Sequence, residues 1–204
     1  MPRKGLSKAA ILEAAGDLAD REGAEGLTLT RLAEVLGIRP PSLFNHFASL
    51  AELRAALALA VTADLADGLE AACAAAAASP GEGLRALLVA YRAYVGRYPG
   101  RYAVLMRMNR AAAFADPDFV REEGRILDLG FTLLEPYGLD RAGKVHALRG
   151  IRSLAHGFAE LEGLGCFGLD VDRDESFAVL AEILIAGLEA RKRDRPEGSG
   201  AAGS

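Results

Sequence analysis

Apolar residues recur at helical spacing along the chain, and no stretch alternates apolar with polar positions. Alanine and leucine dominate, β-branched residues are sparse, and the pattern predicts an all-α protein of about nine helices. Capping and breaking residues divide it. Ser7 is placed to cap a first helix whose Ile11, Leu12, Ala15, Leu18 and Ala19 form one apolar stripe, ending near Glu22-Gly23. Thr28 caps a short second helix that Gly37 closes, a third short helix spans Pro40 to Phe47, and a long fourth runs from near Ser49 to Ala78. Ser79, Pro80 and Glu82 fit the N-cap, N1 and N3 positions of a capping box. Pro99 and Asp116-Pro117 open two more helices, and Glu135-Pro136 ends the second of these. A long segment starts near Asp140 and reaches about Gly165; Asp172 or Asp174 begins the last, to about Lys192. The expected organisation is a three-helix domain over 1–50, a helical bundle over 51–192 and a tail over 193–204 with nothing to bury.

The stretch LAEVLGIRPPSLFNHF, residues 32–47, is the most informative. Two short helices joined at a glycine make a helix-turn-helix. Pro40 and Pro41 fall in the first turn of the second, where backbone N–H groups have no intrahelical partner and proline costs little. Leu43 and Phe47, four apart, are expected to face inward with Leu32 and Val35. Pro41, Ser42, Asn45 and His46 then lie on the opposite side, a small hydrogen-bonding surface suited to the major groove. Arg39 can reach a guanine edge or a phosphate, Thr28 can touch the DNA backbone, and Arg3 with Lys4 forms a short basic arm.

The wording LTLTRLAEVLGIRPPSLFNHFASLAELRAAL resembles the DNA-binding domain of the tetracycline-repressor (TetR) family, and residues 154–184 resemble the His-Gly-containing C-terminal domain of one branch. The resemblance implies a homodimeric repressor, cytoplasmic, that binds a palindromic operator in double-stranded DNA and releases it when the C-terminal bundle takes a small molecule. It assigns Thr28, Pro40, Pro41, Ser42, Phe44 and His46 to the DNA face; Arg39 and Asn45 are added from helix geometry. Two positions depart from the family pattern. Phe44 stands where a tyrosine is usual and Leu50 where many members carry a phosphate-binding lysine, so lower affinity with a shallower salt dependence is expected. A helical small-molecule-binding protein with weakened or no DNA affinity is the alternative.

Charge refines this picture little. The 204 residues carry a formal net charge of −4, which argues against non-specific coating of nucleic acid. Through residue 54, Arg3, Lys4, Lys8, Arg21, Arg31, Arg39 and Arg54 balance Glu13, Asp17, Asp20, Glu22, Glu25, Glu34 and Glu52, so the negative excess lies beyond. The apolar run of 55–78 is broken by Asp64, Asp67 and Glu70, so no membrane partner is expected. Cys73 and Cys166 form no paired motif, and no phosphate-loop, nucleophile-elbow or zinc-protease pattern occurs. No enzyme activity, metal or cofactor is expected. His146 and His156, ten apart on one helix, are separated by about 15 Å of rise and cannot share an ion unaided. The acidic run at Asp170, Asp172 and Asp174 lacks the glycine and glutamate of a calcium loop and reads as a helix cap. Among the bundle aromatics and methionines, Tyr91, Tyr94, Met106, Phe131 and His156 are the candidate lining of a pocket for an apolar or amphipathic effector. Leu148, Ile151, Leu154 and Phe158, then Phe177, Leu180, Leu184 and Leu188, are stripes on the last two helices that a single bundle could bury or that could dock on a two-fold copy.

Overall fold

The computed structural model describes residues 6–76 and 79–193. Among them are nine α-helices, two 3₁₀ helices and no strand. Their order is α1 (Lys8–Gly26), α2 (Leu29–Leu36), a 3₁₀ helix (Pro40–Asn45), α3 (Leu50–Ala75), α4 (Pro80–Arg97), α5 (Pro99–Met106), α6 (Arg110–Ala113), α7 (Pro117–Leu134), a 3₁₀ turn (Glu135–Tyr137), α8 (Arg141–Gly163) and α9 (Arg173–Arg193). The all-α expectation holds, with one short helix, α6, that no sequence signal announced. Arg3, Lys4, Ala78 and the tail beyond Arg193 lie outside the described residues.

The caps fall where side-chain oxygens can accept orphan N–H groups. Ser7 Oγ accepts from Ala10 N, Thr28 Oγ1 from Arg31 N, Ser79 Oγ from Glu82 N and Asp140 Oδ1 from Gly143 N. At the end of the acidic run, Asp172 Oδ1 accepts from Glu175 N at 2.8 Å, so Asp172 caps α9. Gly23, at φ 79°, breaks α1 where expected, and one further turn follows to Gly26. Gly37 closes α2 at φ 64°, a left-handed conformation that a side chain would strain.

The described residues up to Gly68, with Tyr94–Arg125, form one compact unit; Leu69–Ala93 and the described residues from Ile126 form a second. The core of the first is built on Ile11, Leu18, Leu27, Leu32, Leu53 and Tyr102, all fully buried. Within it α5 lies against α1 at very close range. A Cβ on Gly100 would sit 1.9 Å from the Ala19 carbonyl oxygen, so only glycine permits the approach. The core of the second unit includes Leu69, Leu84, Leu88, Leu134, Phe177 and Ala181.

Candidate nucleic-acid interface

The stretch Pro40–Asn45 is a 3₁₀ helix of six residues, not the α-helix to Phe47 that its spacing suggests. Its hydrogen bonds reach three residues back, beginning with Ser42 N on the Arg39 carbonyl at 2.9 Å. His46 N closes the run on Leu43 O at 2.9 Å.

Leu43 and Phe47 are buried beside Leu32 and Ala33, as the pattern requires, and they fix the 3₁₀ helix from behind. Val35 does not join them. It is 40% exposed, because α2 ends one residue later and its last turn projects past the core. On the other side Arg39, Pro40, Pro41, Phe44 and Asn45 are exposed, Ser42 and His46 are half-buried, and Thr28 is exposed with its Oγ1 already accepting the cap bond. The Thr28 hydroxyl hydrogen is left to donate outward.

Neighbouring charges decide which cations can act. Arg31 is held by Glu22 through Nε at 3.0 Å and Nη2 at 2.8 Å, and by Glu34 at 3.0 Å. The Arg31 hydrogen bonds hold the Glu22 carboxyl below its usual range. Arg54 donates to Ala24 O and Leu27 O, tying α3 to the loop before α2. Arg39 is an exposed cation at the start of the reading surface, and Lys8 lies 5.3 Å over the Phe47 ring beside it. Leu50, at the start of α3, supplies no phosphate contact; there Ser49 Oγ accepts from Glu52 N, and Glu52 Oε2 accepts from Ala48 N.

Arg101 on α5 secures the unit behind this surface. Its Nε donates to Asp20 at 2.9 Å, its Nη2 to Asp17 at 2.5 Å and to Glu13 at 2.9 Å, and its backbone N to Asp20 at 2.8 Å. Gly16 leaves the space, since a Cβ there would stand 2.5 Å from Arg101 Nε. An acidic stripe at 13, 17 and 20 with a glycine inside it was the available signal, and its partner could not be read without the fold.

Two surfaces bear on ligands and partners. In the first unit a cleft of about 390 Å³ is lined by Leu12, Glu13, Asp64, Tyr94, Tyr98 and Arg101. Tyr94 Oη donates to Val61 O at 3.3 Å, and burial with the nearby Asp64 charge pushes the phenol up. In the second unit a larger groove of about 950 Å³ lies along α8, the following loop and α9, its floor formed by Gly157, Phe158 and Phe167. Its walls are exposed aliphatics, with Leu169 at 85% and Ile183 beyond it at 64%. The two stripes are mostly spent inside the unit, with Leu180 left on the surface. Ile151, Phe158, Phe177 and Leu188 are buried inside the unit, and Leu148, Leu154 and Leu184 are half-buried, whereas the free surface falls on Leu161, Leu164, Leu169, Val171, Val179, Leu180 and Ile183. Of the candidate pocket residues, Tyr94 lines the cleft and Met106 is half-buried in the same unit; Tyr91 is buried, and Phe131 and His156 half-buried, in the other. The five do not share one cavity seen in either unit.

The geometry is matched by known proteins. A profile described as "Bacterial regulatory proteins, tetR family" matches residues 11–57, and one described as "Tetracyclin repressor-like, C-terminal domain" matches 84–184. The chain is 34% identical over 186 residues to the uncharacterized HTH-type transcriptional regulator Rv0681 of Mycobacterium tuberculosis, covering 91% of this chain and 83% of that one. The chain belongs to the TetR family of DNA-binding transcriptional regulators. Its similarity to the uncharacterized HTH-type regulator YobS of Bacillus subtilis is 31% over 191 residues, covering 92% and 95% of the two chains. A TetR variant from Acinetobacter baumannii AYE, solved with minocycline, shares the fold at a TM-score of 0.68 and 22% identity, covering 92% of this chain and 99% of that one. No helix among the described residues is long and apolar enough to cross a membrane.

Behind the α8–α9 groove of this TetR-family protein, the Arg92 guanidinium lies 4.9 Å from the ring centres of both Phe158 and Phe177, which are themselves in edge-to-face contact at 5.0 Å. It also donates to Glu162 at 2.6 Å through Nη2 and 2.9 Å through Nε, and pairs with Asp174 at 2.8 Å. The Arg92 hydrogen bonds hold the Glu162 carboxyl below its ordinary value. Arg92→Met keeps the stem but strands Glu162, and about 2 kcal/mol of stability should be lost at neutral pH. A group with a depressed folded pKa stabilises above its unfolded value and stops doing so as pH falls through the folded one. Thermal melts should therefore show the gap between wild type and variant narrowing as pH falls below the ordinary carboxylate value of 4.5.

Proposed function

We propose that this protein is a ligand-responsive repressor that binds a palindromic operator as a homodimer, with Thr28, Arg39, Pro40, Pro41, Ser42, Phe44, Asn45 and His46 forming its DNA face. The observation that carries the reading is the Arg39–His46 surface. Buried Leu43 and Phe47 anchor it, and its outward side combines hydrogen-bonding Ser42, Asn45 and His46 with the exposed Pro41 and Phe44. A two-turn element reads few base pairs, so two copies about one DNA turn apart are needed for a specific site.

The apolar α8–α9 face supplies the second copy's seat. Gly157 has no neighbour within 4 Å on its Cβ side, which leaves room for a partner helix. The functional division is a reading head over 1–50 and an effector and dimerisation domain over 51–192. An apolar or amphipathic effector, with Tyr91, Tyr94, Met106, Phe131 and His156 as candidate contacts, shifts the long helix after the head and changes the spacing of the two reading elements. The minocycline complex of the A. baumannii relative supports a small-molecule effector of some kind. We assign the protein to the cytoplasm, a location that the family's role in transcription supports.

A gel shift with the intergenic DNA upstream of the protein's own gene tests the reading. Arg39→Ala and Ser42→Ala should each weaken specific binding by roughly tenfold or more, for one lost hydrogen-bonded contact in each of two half-sites. Both residues are outside the core, so melting temperatures should stay within about 2 °C. Unchanged affinity in both variants would remove these residues from the DNA face.

A further inference from the structure

The 3₁₀ geometry arranges the reading surface differently from an α-helix. With three residues per turn, side chains three apart eclipse. Pro40 stands over Leu43, which is buried and anchors that line. The other two lines face away from the core. One is polar, Ser42 over Asn45; the other is apolar, Pro41 over Phe44. The Phe44 ring is 53% exposed and has no hydroxyl with which to meet a phosphate.

We propose that the Pro41–Phe44 ridge reads the C5 methyl of a thymine in each operator half-site. This rests on the DNA-binding reading above and names a specificity element within it. In the major groove thymine is the base that presents a methyl group, beside edges otherwise marked mainly by hydrogen-bond donors and acceptors. An exposed phenyl ring pressed onto another edge would cover a donor or acceptor without replacing its hydrogen bond, whereas against a methyl it removes apolar surface from water. The adjoining Ser42–Asn45 line then takes the hydrogen-bonding edge of a neighbouring pair. Phe44 thus serves as a reader of its own kind and not as a tyrosine short of an oxygen.

The experiment uses the tightest duplex that the full-length protein selects from a randomised pool, followed by copies in which single thymines are replaced by deoxyuridine, which lacks only the methyl. At one thymine per half-site, wild-type binding should fall by about fourfold, and by more than tenfold when both half-sites are changed, the loss expected for one buried methyl each. Phe44→Leu, still apolar, should keep that sensitivity. Phe44→Ala should bind the thymine duplex more weakly and lose the difference between thymine and deoxyuridine, with its melting temperature unchanged. Deoxyuridine tolerated at every position, or Phe44→Ala still discriminating, would overturn the inference while leaving the regulator reading intact. Failure to select any duplex would overturn both.

Discussion

Gly100→Ala is expected to lower the melting temperature by about 10 °C, a loss of roughly 3 kcal/mol or more. The reason is backbone against backbone: the new Cβ would meet the Ala19 carbonyl oxygen at 1.9 Å and Asp20 N at 2.5 Å, and neither can rotate away. To relieve the clash α5 has to move off α1, and that withdraws Arg101 from Glu13, Asp17 and Asp20 at the same time. Gly124→Ala is the matched control. Nothing lies within 4 Å of a Cβ there, and alanine in a helix interior should stabilise by about 0.5–1 kcal/mol. Circular dichroism melts of the two variants check both signs, and equal melting temperatures would show that the α1–α5 approach carries no such weight. DNA affinity of Gly100→Ala, measured well below its midpoint, should fall as well, because α1 supports the helix-turn-helix.

The second large effect concerns the partner copy. Ile183→Glu places a charge on the most exposed part of α9's apolar face, where a monomer tolerates it and a docked helix does not. Light scattering should report a dimer for the wild type and a folded monomer for Ile183→Glu at the same concentration. Specific DNA affinity should drop by at least a hundredfold, since one reading head must bind without the contacts of the other. A dimer that persists in Ile183→Glu and in Leu169→Glu would place the two-fold interface elsewhere.

Much of this was legible in the residues. Caps at Ser7, Thr28, Ser79 and Asp140 are single side-chain to backbone bonds over three residues, so local sequence suffices to find them. The inward pair Leu43 and Phe47 was equally visible, because a buried anchor must be apolar wherever the chain goes. The winding of the reading element was not. Proline in a first turn is compatible with either winding, and only the Ser42 N to Arg39 O and His46 N to Leu43 O bonds distinguish the 3₁₀ form. The free face of α8 and α9 is only partly legible, through Leu180, for a different reason. A stripe of leucines tells that a side is buried but not against what, and Phe158 and Phe177 turned out to close on Arg92. The Arg101 cluster joins residues more than eighty positions apart, and no local pattern pairs them.

The most direct measurement is a hydroxyl-radical footprint of the full-length protein on the duplex it selects. Two protected half-sites, inverted relative to each other and centred about ten base pairs apart, are predicted, with protection at both lost together in Arg39→Ala. A single unrepeated patch, or protection that survives Arg39→Ala, Ser42→Ala and Phe44→Ala alike, would contradict the claim that the 3₁₀ helix at Pro40–Asn45 is what reads DNA.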